Sequence, residues 1–145
     1  MPKNIASLFS GCGGLDLGFS GGFVFRNTVC ERLDTNIVFA NDFDRDAWAC
    51  YNNNELLTND GVHSRLGDIR EIPTNEIPNF DILLAGFPCQ PFSNAGNRKG
   101  VHDDNGRGTL FEECERIIRE KIEVGHRPEA FLFENVRGIL SSKMQ

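Results

Sequence analysis

The chain has 145 residues, 39% of them hydrophobic, and a formal net charge of −6. That length buries the core of one domain, and the charge runs against the basic surface that phosphate contacts require. There is no apolar run of membrane-spanning length and no secretory signal, and five cysteines without a C-x-x-C pair argue against a disulfide framework or a zinc site, so a cytoplasmic protein without membrane or metal is expected.

Asn4 to Phe9 is short and mostly apolar and predicts a first strand. Ser10-Gly11-Cys12-Gly13-Gly14 follows, and Leu15 to Phe19 begins a helix. Strand, glycine loop and helix let backbone N–H groups approach a ligand closely. As a dinucleotide fingerprint the loop is poor, because G-x-G-x-x-G counted from Gly11 needs glycine where Asp16 stands. A simple tight turn accounts for it equally well. Gly21-Gly22 predicts a turn, and the mixed charges of Arg26 to Asn36 predict an exposed connection. Ile37 to Ala40 is a buried-type strand ending at Asn41-Asp42-Phe43. A carboxylate there can accept hydrogen bonds from a ribose hydroxyl pair. Asp42 or Asp44 can instead cap the next helix. That helix, Arg45 to Asn53, carries Ala47, Trp48 and Tyr51 as a core stripe.

Asn52-Asn53-Asn54 and Thr58-Asn59-Asp60-Gly61 mark a loop. Ser64 to Ile69 ends in Gly67-Asp68-Ile69, which by itself is a turn. Pro73 and Pro78 bracket a polar connection. It leads into Asp81-Ile82-Leu83-Leu84-Ala85-Gly86-Phe87-Pro88-Cys89-Gln90-Pro91-Phe92-Ser93, where Ile82 to Ala85 reads as a short buried strand. Pro88 and Pro91 fix their own φ and push the preceding residues toward extended geometry. The expectation is a stiff ledge that holds Cys89 outward at the carboxyl end of a strand, where open α/β sheets bind ligands. An inert buried cysteine is the alternative. Asn94 to Gly106 has the length and makeup of a functional loop. Arg107 to Phe111 opens a helix with Leu110, Cys114, Ile117, Ile118 and Ile122 on one face. Ala130 to Phe133 is the last strand. Glu134 ends it, semi-buried, at the sheet edge shared with Cys89. The fold predicted is α/β, an incomplete, mostly parallel sheet with helices on both faces.

Gly86 to Ser93 resembles the catalytic motif of the cytosine-5 DNA methyltransferases. Leu8-Phe9-Ser10-Gly11-Cys12-Gly13-Gly14-Leu15 resembles that family's first, cofactor-binding motif, and Phe133-Glu134-Asn135-Val136 its Glu-Asn-Val motif. Order and spacing agree, and the resemblance runs from about residue 5 to the end. It implies a Rossmann-like, S-adenosylmethionine-dependent methyltransferase. It places Phe9, Ser10, Gly11, Gly13, Gly14 and Leu15 at the cofactor, Asp42 on its ribose and Phe43 on its adenine. Asp68 and Ile69 would hold the adenine amino group and face, with Gly86, Pro88 and Leu110 nearby. Cys89 is implied as the nucleophile at carbon 6 of a cytosine flipped out of double-stranded DNA, and Glu134 as the proton donor at ring nitrogen 3. The loop after Ser93 is implied to close over that base.

Members of this family continue further, with an Arg-containing motif, a region that reads the DNA and a last motif that completes the cofactor pocket. Residues 1–145 are therefore expected to be the N-terminal portion of a catalytic domain. The missing C-terminal half, or a second polypeptide, would supply the target-recognition region and much of the DNA grip. Arg98, Lys99 and Arg107 add local positive charge past Cys89. Three other readings stand: a non-catalytic S-adenosylmethionine-binding or partner-binding fragment, a nicotinamide-dependent oxidoreductase, and a tRNA cytosine-5 methyltransferase. The Asp/Asn-Pro-Pro-aromatic block of exocyclic-amine methyltransferases is absent from the sequence.

Overall fold

The computed structural model describes residues 1–59, 61–88 and 110–135. In chain order these residues form β1 (Lys3–Leu8), α1 (Gly14–Ser20), β2 (Phe23–Phe25), β3 (Thr28–Cys30), β4 (Thr35–Asp42), α2 (Arg45–Asn52), α3 (Glu55–Thr58), β5 (Arg65–Leu66), β6 (Ile82–Ala85), α4 (Leu110–Glu123) and β7 (Ala130–Phe133). Two 3₁₀ turns, Ile69–Glu71 and Thr74–Glu76, fill the connection between β5 and β6. The main sheet runs β5-β4-β1-β6-β7, with every neighbouring pair parallel. The chain builds outward from β1 through β4 to β5, then returns to β1's other side with β6. The strand order therefore reverses between β1 and β6, and such a switch point opens a crevice at the carboxyl ends of the strands.

Strand alternation sends side chains to two cores. Ala6 and Leu8 of β1, Phe39 of β4, and Leu83 and Ala85 of β6 pack with Leu110, Cys114 and Ile117 of α4. Ile5, Ile37, Ala40 and Leu84 point the other way, to Tyr51 of α2, Leu57 of α3 and Leu15 and Leu17 of α1. Both faces of the central strands β4, β1 and β6 are thus covered, as parallel strands require, and Ile82 to Ala85 is apolar at every position for that reason. Between Ile5 and Ala6 the register to β4 slips by one residue, passing over Val38.

Three features differ from the sequence expectation. Phe23 to Cys30, which runs into the segment Arg26 to Asn36 read as an exposed connection, forms a hairpin, β2 against β3. Its two-residue turn, Arg26-Asn27, has φ of 46° and 63°, the positive values that tight hairpins favour. Val24, Phe25 and Val29 remain exposed on it, so no buried face announced these strands. Asn54, read as loop, accepts from Leu56 N–H at 3.1 Å and so caps the short helix α3. Ile122, read as core, is 47% exposed, and Lys121 takes the buried place beside it. Lys121 can do so because its Nζ donates to the Ile77 carbonyl at 2.5 Å, while its methylenes cover apolar surface.

Candidate functional site

An open cleft of about 520 Å³ lies at the switch point, along the carboxyl ends of β1, β4, β5 and β6. Phe9 leaves β1 with φ of 55°, a left-handed conformation that costs a residue with a Cβ about 1–3 kcal/mol. That turn aims the chain into the glycine loop. Gly11 N–H then donates to Asp42 Oδ2 at 2.7 Å, which ties the loop to the end of β4. The other Asp42 oxygen accepts from Asp44 N–H at 2.8 Å. Both oxygens keep acceptor capacity toward the cleft. Asp44, not Asp42, is the helix cap: its Oδ1 accepts from Asp46 and Ala47 N–H, both at 2.9 Å. Phe43 stands between them, 73% exposed, as a flat apolar wall.

Asp68 and Ile69 close the opposite side. Asp68 caps the first 3₁₀ turn and is gripped by Arg70, whose Nε lies 3.0 Å from each carboxylate oxygen. That guanidinium holds the Asp68 carboxyl below its usual range. Ile69 is buried, and Arg116 of α4 anchors its segment by reaching the Ile69 and Ile72 carbonyls at 3.3 Å and Thr74 Oγ1 at 2.8 Å. Gly86, Pro88 and Leu110 complete the floor.

The other first-motif residues have different places. Ser10 donates its N–H to Asn41 and contacts Ser64 with its hydroxyl. Gly13 is buried, with φ of 83°, and a Cβ there would meet the Tyr51 ring at 3.0 Å and collide with Leu57. Gly14 is exposed and opens α1. Leu15 packs on the second core. None of the four lines the cleft as Gly11 does.

Cys89 lies outside the described residues, as do the segment 90–109 and Val136. Its flanks are described. Phe87 is buried and packs edge-on against Phe9, Phe111 and Phe133. Glu134 continues the β7 ladder, its N–H donating to the Ala85 carbonyl at 3.0 Å. Its Oε2 lies 3.8 Å from where a Gly86 Cβ would stand, so the carboxylate hangs beside the rim of the cleft. Glu134 is exposed, not semi-buried as expected. It follows β7, the last strand of the sheet, which has one strand neighbour among the described residues.

Some site residues were not singled out from the sequence. Asn41 is buried at the cleft, and its Nδ2 donates to the Arg65 and Gly67 carbonyls, fixing β5 to β4. Asn135 donates to the Phe87 carbonyl at 2.9 Å and so locks the end of β7 to the chain just before Pro88. Each asparagine stands next to a residue that the motifs did flag, and a polar residue ending an apolar strand was the available signal.

The C-5 cytosine-specific DNA methylase model matches residues 3–145. The chain belongs to this family. Among its relatives in the family, the type II methyltransferase M.BanI of Aneurinibacillus aneurinilyticus is 41% identical over 97% of the chain and 28% of that protein. M.NgoPII of Neisseria gonorrhoeae is 39% identical over 98% of the chain and 36% of that protein. The chain thus spans about a third of these relatives' length. The crystal structure of the Schizosaccharomyces pombe Dnmt2 methyltransferase superposes with a TM-score of 0.65 at 25% identity, over 97% of the chain and 38% of that structure. The Entamoeba histolytica methyltransferase EhMeth gives 0.69 at 19% identity, over 99% and 41%. The parallel sheet described above is accordingly the Rossmann-like fold of a methyltransferase, and no described helix is long and apolar enough to cross a membrane.

Proposed function

We propose that the cleft binds S-adenosylmethionine and that the family's reaction, methylation of cytosine carbon 5 in DNA, takes place at its rim. The carrying observation is the composition of the cleft. An exposed aromatic face, three carboxylates (Asp42, Asp44 and Asp68) and one already-paired arginine surround it. A diphosphate would meet repulsion there, which disfavours a nicotinamide dinucleotide, whereas a nucleoside bearing a positive charge suits it. The volume is within the roughly 300–1,000 Å³ of small-molecule sites. Asp42 would take the ribose hydroxyls, Phe43 the adenine face, and Asp68 and Ile69 the adenine edge. When bound, the cofactor supplies an electrophilic sulfonium methyl.

The chain's own residues would do the rest. Cys89, following Pro88, would add as a thiolate to carbon 6 of cytosine, which makes carbon 5 nucleophilic. Glu134 would share a proton with ring nitrogen 3. Loss of the carbon 5 proton and of the thiol then frees the product. The target atoms are hidden in a duplex, so the base must be flipped out. We further propose that residues 1–145 are the cofactor and catalytic portion of a type II modification enzyme of a restriction–modification system. Additional polypeptide, in the same chain or a second one, would grip the DNA. The relatives' length and the net charge of −6 support this. A reducing cytoplasm suits a thiol nucleophile.

The test is transfer of a labelled methyl group from S-adenosylmethionine to unmethylated duplex DNA, with tRNA as second substrate and Cys89→Ser as control. Transfer to DNA that vanishes in the variant is expected once the completing polypeptide is present. Transfer to tRNA alone would refute the substrate. A cleft that prefers a nicotinamide dinucleotide would refute the cofactor.

A further inference from the structure

Two cysteines that the reaction scheme does not use sit together where the glycine loop meets α2. Cys12 lies in that loop and Cys50 on α2, and both are exposed. Their neighbours bring the two segments into contact. Gly13 is so close to Tyr51 that a Cβ would stand 3.0 Å from two ring carbons. The Tyr51 hydroxyl bonds to Asp16, in the first turn of α1, at 2.8 Å. Of the other described cysteines, Cys30 lies on the hairpin and Cys114 is on the buried face of α4.

We propose that Cys12 and Cys50 are a dithiol modification site: they close a reversible disulfide by exchange with a low-molecular-weight disulfide, and closure weakens cofactor binding in the adjoining cleft. The Cys50 thiolate attacks one sulfur of the reagent, forming a mixed disulfide and releasing one thiolate. The Cys12 thiolate then attacks the Cys50 sulfur, the Cys12–Cys50 bond forms, and the second thiolate leaves. The protein gives up two electrons and the reagent takes them, while the two thiol protons pass to the released thiolates. The Cys50 thiol, in hydrogen-bonding reach, is the main cause that pushes the Cys12 thiol up; burial and the Asp42 and Asp44 carboxylates add to it. A thiol held protonated is the poorer nucleophile, which suits Cys12 to the second, resolving attack.

Closure would be felt in the cleft. Gly11 precedes Cys12, binds Asp42 through its N–H and lines the cleft, as does Ala47 of α2. A disulfide brings its sulfurs to about 2.05 Å, nearer than two thiols can approach. The loop would be drawn toward α2 and off Asp42. This effect on cofactor rests on the reading of the cleft given above; the disulfide itself does not.

The 145-residue chain is incubated with oxidised glutathione, quenched, alkylated and mapped by peptide mass spectrometry. A Cys12–Cys50 linked peptide that disappears on reduction is expected, and in Cys12→Ser a glutathione adduct on Cys50. S-adenosylmethionine affinity, read by calorimetry, should fall by at least about threefold on oxidation, and oxidised glutathione should leave the affinity of the double variant Cys12→Ser, Cys50→Ser unchanged. Adducts on both cysteines without a linked peptide would overturn the site. A linked peptide with equal affinity before and after would overturn the effect on cofactor. A chain that binds no cofactor in either state would refute the reading of the cleft and leave the disulfide standing.

Discussion

Replacing Asp16 tests the joint that holds the glycine loop to the rest of the domain. Asp16, Ser7 and Tyr51 have 0%, 2% and 0% exposure, so none reaches water. Asp16 accepts from the Ser7 hydroxyl at 2.5 Å and from the Tyr51 hydroxyl at 2.8 Å, linking β1, α1 and α2 through one carboxyl group. Asp16→Ala strands two buried hydroxyls. Each costs about 1–3 kcal/mol, so the sum is roughly 2–6 kcal/mol against a typical domain stability of about 5–15 kcal/mol. Asp16→Asn keeps a partner for both hydroxyls, since the amide accepts from one and donates to the other. Its loss should stay near 1 kcal/mol, on the order of one net hydrogen bond.

The pair of variants also separates charge from shape. Burial pushes the Asp16 carboxyl up from 3.8, more than the two hydroxyls draw it down. The folded state therefore holds this proton more tightly than the unfolded one. Its contribution to stability is complete below 3.8 and is lost as pH rises through the higher folded value. Asp16→Asn should remove that slope. Urea unfolding followed by fluorescence of Trp48, the single tryptophan, from acid to neutral pH reads both effects. An alanine variant within about 1 kcal/mol of wild type, or an asparagine variant with the wild-type slope, would refute the reasoning.

Gly13→Ala should lose about 2–4 kcal/mol, through positive φ and collision with Tyr51 and Leu57. Gly14→Ala, where nothing lies within 4 Å, should stay within about 0.5 kcal/mol, and parallel thermal melts compare the two. Asp42→Ala should weaken S-adenosylmethionine binding at least about tenfold by calorimetry, since it removes the proposed ribose acceptor and the Gly11 anchor together. Asp44→Ala should cost about 1 kcal/mol in urea unfolding by uncapping α2.

Where one physical rule governed a stretch, the sequence made it legible. Ile82 to Ala85 and Ala130 to Phe133 are the expected strands, residue for residue, because an apolar run bounded by polar or turn residues has few other uses. The Asp42 and Asp44 alternatives needed coordinates, since each carboxylate has an N–H to accept from and only geometry says which. Asp16 entered the sequence reading as a mismatch to a dinucleotide pattern. Its partners lie 9 and 35 residues away, beyond any local rule. The exposure of Ile122 and Glu134 depends on what covers α4 and β7, which periodicity does not report. The order of strands was not legible either, because parallel connections carry no register in sequence.

The cleft also has a consequence for how the protein is made. Leu110 excepted, its lining residues come from Phe9 to Pro88, and four of the five strands of the sheet precede residue 86. Chains emerge from the ribosome amino end first and fold in that order. All of the cleft but Leu110 is therefore synthesised in one run, ahead of Glu134. The nascent chain can thus lay down most of the cleft's walls while α4 and β7 are still unwritten.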